Sequence, residues 1–378
     1  MAGTLTLDDE QVASAAEERV SVASQWQLMW WRFRKHRLAM AGALLILFFY
    51  LVVLGADFLA YADPTASEAQ RSLLSPQPIH LLDNGRFSPY VYALKGKRDP
   101  ITFQRVYTPD ESQKIAVTFL APGFGYKFLG LFPTRLHLIG VSDGNSEERL
   151  FLLGTDLQGR DIWSRLMYGT RTSLTIGLVS VALSLLLGVL LGGLSGFHGG
   201  ALDTAIQRLI EILRSIPTIP LWMGLAAALP NEWSIVQVYF AITIIISLIG
   251  WTELARVVRG RFLSLREEDF VMAAELAGCG RMRIIFRHMV PSFLSHIIAA
   301  TTLALPTMII SETSLSFLGL GLRPPAISWG VLLQEAQSIQ SLAMSPWQLA
   351  PVVPVILSIL AFNFMGDGLR DAADPYGV

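Results

Sequence analysis

Apolar residues in this chain fall in long unbroken blocks rather than in alternation. The blocks run from about Leu38 to Leu59, Ser173 to Leu194, Leu202 to Leu229, Val236 to Ala255, Ser292 to Leu318 and Leu349 to Phe364. Each approaches or exceeds the roughly 20 residues that a helix needs to cross a bilayer, so the pattern predicts six transmembrane helices. The second block is studded with Gly177, Gly188, Gly192 and Gly193, which permit close helix approach. The third opens with Asp203, Arg208, Glu211 and Arg214 and then carries Pro217 and Pro220, which break a helical ladder where it enters the bilayer. The fifth holds Thr302, Pro306, Ser311 and Glu312. An ionisable side chain at such depth usually faces protein or a water-filled cavity, so these four are candidates for a translocation path or gate. Glu312 sits roughly 30 Å along the helix from Ser292, near the outer interface, where plain solvation is the competing reading.

The stretches between the blocks differ in kind. Residues 1–24 are polar, rich in Ala, Ser and Glu, and read as a mobile tail. Gln25 to Arg37 combines aromatic residues with Arg32, Arg34, Lys35 and Arg37. Positive charge beside a span marks the cytoplasmic side, which puts the N-terminus inside; an amphipathic helix lying along the membrane surface is an equal reading of the same segment. From about Ala62 to Ser164 the chain is polar and turn-rich, with β-like runs at Lys114–Leu120, Leu136–Gly140 and Arg149–Leu153. This stretch reads as an extracytoplasmic domain whose aromatic residues fill a small core. The expected divisions are therefore a tail and anchor over 1–37, a first helix over 38–59, an insertion over 60–168, and a permease-like core over 169–375 with an inner loop at 256–291.

Composition supports membrane residence. Of 378 residues 52% are hydrophobic and 16% charged, with mean hydropathy +0.47. The net charge of -1 gives no overall basic surface for nucleic acid. A single cysteine, Cys279, excludes an intrachain disulfide. The first apolar block ends without a small-residue cleavage site and is expected to stay as an anchor.

Two polar stretches carry the functional signal. Leu153–Asp161 reads LGTDLQGRD: Gly154 and Gly159 give tight backbone beside Thr155, while Asp156, Arg160 and Asp161 can pair with one another at the edge of the bilayer. No histidine or metal-ligand companion stands nearby to make the carboxylates catalytic, and His198, His288 and His296 are isolated. Glu267–Pro291 is a polar and basic interruption. Phe270, Val271, Ala273, Ala274 and Ala277 share one helical face with Glu275 on the same helix, Gly278 ends or bends the segment, and a second helix carries Arg281, Arg283 and Arg287. Parity from an inside N-terminus and the local arginine excess both place this elbow in the cytoplasm. Its plainest reading is an amphipathic surface loop.

The spacing of Ala273-Ala274, Gly278 and Pro291 resembles the "EAA" loop of inner-membrane permease subunits of bacterial ABC importers. Met272 stands at the leading Glu position of that loop, and His288 and Val290 replace its Ile and Leu. The run LGTDLQGRD is similar to an outer motif of the "C" subunits of dipeptide, oligopeptide and nickel permeases, and Glu312–Gly321, Pro324–Gly330 and Asn363–Asp371 resemble further segments of them. The resemblance implies an all-α polytopic membrane protein, with six transmembrane helices of the type I ABC importer fold and a mixed, β-containing periplasmic insertion between the first two. It implies that Phe270, Val271, Ala273, Ala274, Glu275, Ala277, Gly278, Arg281 and Arg283 couple to an ATPase, and that Gly154, Thr155, Asp156, Gly159, Arg160 and Asp161 form the outer motif. The implied partners are a "B"-type permease, two ATP-binding subunits, a periplasmic or lipid-anchored solute-binding protein and membrane lipid, with no nucleic acid. The chain itself would be non-catalytic and bind no cofactor, ATP and Mg residing on the partners. It would lie in the bacterial inner membrane with both termini cytoplasmic. Peptides are the leading solute, with oligosaccharides, opines or nickel as alternatives; a stand-alone channel or a membrane enzyme are the readings from other classes.

Overall fold

The computed structural model describes residues 24–373 except 84, 99, 101–104, 142–148, 339–342 and 344. The expected tail over 1–24 lies almost wholly outside the described residues. A short basic helix α1 (Gln25–Lys35) opens with Ser24 capping it in a reciprocal bond with Gln27, and α2 (Arg37–Leu54) and α3 (Ala56–Leu59) carry the chain through the first apolar block. After the insertion come α4 (Ile162–His198), α5 (Gly200–Ser215), α6 (Thr218–Ala227) and α7 (Ile235–Leu265). The elbow helix α8 (Asp269–Leu276) follows, then α9 (Leu294–Phe317), the short α10 (Trp329–Glu335) and α11 (Val352–Ala373).

Five helices are long and apolar enough to cross a membrane, and α5 with α6, bent by 87°, makes a sixth if the pair is one span. The sequence predicts a third span over Leu202–Leu229 whose ladder Pro217 and Pro220 break. The break falls at Pro217, which has no N–H to donate and forces Ile216 into extended backbone (φ -88°, ψ 130°). The second helix is longer than its apolar block, 37 residues against a membrane need of about 20, and so projects beyond the hydrocarbon.

Contacts order the ends of these helices. Phe33, Ala39 and Ala372 share one cluster, which joins α1 and the start of α2 to the end of α11. His36, Arg261, His296 and Arg370 border one cavity, which adds the end of α7 and the start of α9. Arg259 of α7 holds Asp203 of α5 through Nε at 2.5 Å and Nη2 at 2.6 Å, which adds the α4–α5 junction. At the opposite face, Arg323 beyond α9 donates to Asn231 before α7 at 3.2 Å. The bent pair therefore connects the two faces, and both ends of the described chain lie on the same face as the elbow.

The bundle is centred on α4 and α7. In lipid no hydrophobic force draws helices together, so association rests on close van der Waals contact and interhelical hydrogen bonds. Ser180, Ser184, Gly188, Gly192 and Gly196 recur every four residues and form the seam of α4. Ser247 Oγ of α7 donates to the Ser180 carbonyl at 3.1 Å, and further along a Cβ on Gly192 would lie 2.5 Å from the Ala255 carbonyl oxygen. Leu254 and Ala255 thus meet bare backbone.

The insertion contains a four-stranded antiparallel meander: β1 (His80–Asp83), β2 (Arg86–Arg98), β3 (Arg105–Phe128) and β4 (Phe132–Val141). The long β3 pairs with β2 through its first half and with β4 through its second. Val91, Ile115, Val117 and Leu150 form its small core. Arg149–Leu153, which reads as a strand in the sequence, forms none: Leu150 and Phe151 are buried as a loop, with the Phe151 amide bonded to Gln77 Oε1 at 2.7 Å. The sheet docks on the helices through His137, whose ring nitrogens lie 3.1 Å from the Asp57 carbonyl and 3.0 Å from that of Phe124.

Candidate functional site

The elbow is built around a glycine cap. Helix α8 ends at Leu276, Gly278 adopts φ +76°, and two backbone bonds close the turn, from Gly278 N to Glu275 O at 2.9 Å and from Cys279 N to Ala274 O at 3.0 Å. This paired pattern satisfies carbonyls that a helix end leaves open, and its left-handed residue is cheapest as glycine. The half-buried Cys279 packs with Ala274 beneath the turn. The chain then passes through Arg281–Arg283 and a wide turn over Ile284–Met289.

The elbow has an inner and an outer side. Val271, Ala274, Ile284, Ile285 and Met289 are buried against Val258 and Phe262 of α7. Val271 and Ala274 thus anchor the elbow to the bundle and leave no surface for a partner, which separates them from the expected contact set. Phe270, Ala273, Glu275, Ala277, Gly278, Arg281 and Arg283 are exposed. Beside them stand apolar residues that the sequence reading omits: Leu276 is 90% exposed, and Met272, Met282 and Phe286 are open as well. Phase along the helix could have found them, since Leu276 and Met272 lie four apart opposite Val271 and Ala274. An apolar surface on a rigid protrusion, rimmed by arginine, has the character of a contact waiting for a partner.

The outer motif is a brace. Asp156, 6% exposed, accepts at Oδ1 from the amides of Gln158 at 2.8 Å and Arg160 at 3.0 Å, and at Oδ2 from Arg160 Nε at 2.7 Å and from Arg165 Nη1. Glu335 of α10 closes the network, 2.9 Å from Arg160 and 2.8 Å from Arg165. Thr155 accepts the Leu74 amide at 2.8 Å and donates to the Arg71 carbonyl at 2.5 Å. Gly154 and Gly159 both take left-handed φ and press on the backbone of Leu74 and Glu68. Asp161 departs from the expected pairing with its neighbours. It caps α4 by accepting the Ser164 amide at 2.7 Å, and its other oxygen takes the Tyr61 hydroxyl at 2.7 Å. Burial pushes the Asp161 carboxyl up to about 6, against hydrogen bonds from Ser164 and Tyr61 that pull it down. The motif ties the segment that follows α3 to α4 and α10 and presents no convergent reactive pair.

Glu312 is fully buried. Its Oε2 accepts from Ser173 Oγ of α4 at 2.9 Å and its Oε1 from Ser316 Oγ at 2.9 Å, while Ser173 also accepts the Trp329 amide of α10 at 3.1 Å. The carboxylate is a peg between three helices, fully buried in place of the exposure that either a path-lining role or interfacial solvation requires. Ser311 and Thr302 donate back to the Thr307 and Ile298 carbonyls of their own helix at 2.6 Å and 2.9 Å, and Pro306 is buried. Among the described residues no group of three His, Cys, Asp or Glu converges as a metal site.

Comparison with known proteins places this architecture. Residues 163–376 match the family described as binding-protein-dependent transport system inner membrane component, and residues 24–76 match the N-terminal transmembrane domain of oligopeptide transport permease C. The sheet lies between the two matches. The oligopeptide transport system permease protein OppC of Bacillus subtilis (strain 168) is 38% identical over 240 residues, 63% of this chain and 75% of that protein. OppC of Haemophilus influenzae is 40% identical over 236 residues, 62% and 73% of the two chains. The dipeptide transport system permease protein DppC of Alkalihalophilus pseudofirmus is 36% identical over 274 residues, 70% and 87%. Among solved structures, an inward-facing conformation of the MetNI methionine ABC transporter aligns with TM-score 0.44 at 20% identity, over 56% of this chain and 97% of that one. With more than half of its length matched by the first of these families, the chain belongs to the binding-protein-dependent transport system inner membrane components.

Proposed function

We propose that this chain is one of two membrane-spanning halves of an ATP-driven importer of di- or oligopeptides in the bacterial inner membrane. The observation that carries the reading is the elbow: a glycine-capped helix, anchored by Val271 and Ala274, that holds Leu276 and its apolar neighbours out from the bundle. The basic helix α1, on the same face, supports the reading of that face as cytoplasmic. An ATP-binding subunit seated on the elbow pushes α8, and through Val258 and Phe262 the push reaches α7 and the α4 seam. Rigid-body movement of this bundle against a sister permease alternates access to a passage between them. ATP and Mg act on the partner subunits, and a solute-binding protein delivers cargo to the face that bears the sheet. The relatives named oligopeptide and dipeptide permeases support peptides as the cargo class.

The test is reconstitution. The chain is co-purified with its neighbouring permease and ATP-binding subunits, placed in liposomes, and supplied with binding protein and radiolabelled peptide. ATP-dependent accumulation is expected only with this chain present. Accumulation without ATP, or with this chain omitted, overturns the reading.

A further inference from the structure

The break between α5 and α6 puts non-helical backbone in the middle of an element that connects the two faces of the bundle. Pro217 gives α6 no side-chain cap, Ser215 Oγ donates to the Ile212 carbonyl at 2.8 Å at the end of α5, and every residue from Arg214 to Pro220 is exposed. Irregular backbone at membrane depth is tolerated where protein covers it or where it lines a water-filled cavity. Here Arg214, Ile216 and Thr218 border a cavity of about 800 Å³. Its other walls are two helical stripes. Gly250, Glu253, Val257 and Arg261 run down α7, and His296, Ala300, Leu303 and Thr307 run along α9, each at three- and four-residue steps that keep them on one face. The buried Ile249, Thr252, Ala299 and Met308 of the same helices reach its wall, whereas Thr302, Pro306, Ser311 and Glu312 do not border it.

Charge is concentrated at the inner end. Arg261, His296 and Arg370 border this cavity and also a second one of about 830 Å³. In the first cavity Arg214 is neutralised by Glu253. Among the described residues Arg261 and Arg370 make no ion pair, and Arg261 instead lies 3.5 Å from a nitrogen of His296. Asp367 and Asp371 border the second cavity only. The groove thus ends at two guanidinium groups that make no ion pair among the described residues.

We propose that this groove is the chain's half of the solute passage, and that Arg261 and Arg370 form a positive inner mouth that draws in a carboxylate-bearing solute and holds small cations back. The proposal rests on the permease reading above. A membrane potential drives cations through any hydrated opening, and fixed positive charge at a constriction opposes them. The terminal carboxylate of a peptide is attracted by the same field when it leads through the mouth, ahead of the terminal ammonium.

Thiol chemistry tests this in the assembled complex, with cysteine-free partner subunits and Cys279→Ser removing the chain's only cysteine. Single cysteines are introduced at Val257, Leu303 and Thr307, and, as controls, at Leu47 and Leu51, which are 56% and 57% exposed on the apolar face of α2. Each is treated with a methanethiosulfonate bearing a sulfonate and with one bearing a trimethylammonium group. The groove cysteines are expected to react at least about tenfold faster than the controls. Relative to a free thiol they are expected to favour the anionic reagent by about tenfold, the lower end of the range for charged clefts. Arg261→Gln with Arg370→Gln should return that preference toward the free-thiol value. Groove cysteines that react no faster than the controls, in a complex that still imports peptide, overturn the passage assignment and leave the permease reading intact. An unchanged reagent preference in the double variant overturns the mouth. The first comparison needs no arginine variant, so it stands even if the double variant fails to assemble.

Discussion

Asp156→Asn keeps the shape of a side chain at the centre of the outer brace and removes its charge. In the native chain the buried Asp156 and the partly exposed Glu335 balance two buried arginines, Arg160 and Arg165, the latter 1% exposed. The substitution leaves one uncompensated positive charge in that network. Asn Oδ1 can still accept the Gln158 and Arg160 amides, so the loss falls on the two arginine contacts. Breaking one partner of a buried ion pair costs about 3–5 kcal/mol. At about 2–4 °C per kcal/mol for a domain of 150–250 residues, this lowers the unfolding midpoint by roughly 6–20 °C. The assay is the thermal midpoint of the detergent-purified complex, followed at a fixed scan rate by tryptophan fluorescence, with Trp347 bonded to the Thr155 carbonyl at 3.1 Å as a local reporter. Arg165→Gln added to Asp156→Asn restores the charge balance and should recover part of the loss, a non-additivity that neighbours in one network show. A midpoint shift below about 1 °C for Asp156→Asn, or a double variant whose loss is the plain sum of the two, refutes the brace.

Three further outcomes are expected. Gly192→Val drives a Cβ toward the Ala255 carbonyl, and overpacking of about 1–3 kcal/mol should lower complex yield and midpoint, whereas Gly224→Ala, with open space around it, should be neutral. Gly278→Ala meets no neighbour but must hold φ +76°; the left-handed cost of about 1–2 kcal/mol should loosen the elbow and weaken solute-stimulated ATP hydrolysis, with Gly278→Asn milder. Asp161 holds its proton to about pH 6 when folded against an ordinary 3.8, so the folded state binds the extra proton and this group's contribution to stability falls as pH rises from about 4 to about 6. Asp161→Asn, whose one oxygen can still cap α4 while its NH2 turns to donate to the Tyr61 hydroxyl, should flatten that part of the midpoint-against-pH curve.

The bilayer made much of this fold legible. A span must be apolar for its full length, so the blocks beginning near Leu38, Val236 and Ser292 announced their helices, and Pro217 announced the break, although not its angle. Gly278 marked the end of α8 because its conformation is a local property. Partners distant in sequence were not legible. Asp161 finds Tyr61, 100 residues away, and Glu312 finds Ser173 on another helix. Arg165 and Glu335 lie outside the LGTDLQGRD run that they complete. Periodicity grouped Phe270, Val271 and the alanines of the elbow, but which side of that helix meets the bundle depends on α7, so the reading merged anchors with contacts and passed over Leu276. Arg149–Leu153 misled for a related reason: a short apolar run fits a strand or a buried loop equally well.

The elbow's role is tested most directly at Leu276, the most exposed of its apolar side chains at 90%. A photo-crosslinking residue placed there in the intact, membrane-embedded complex should form its adduct with an ATP-binding subunit. The yield should change when that subunit is trapped in its closed state with ATP and vanadate. An adduct confined to lipid, or formed with the solute-binding protein on the other face, would contradict the coupling role and the orientation together.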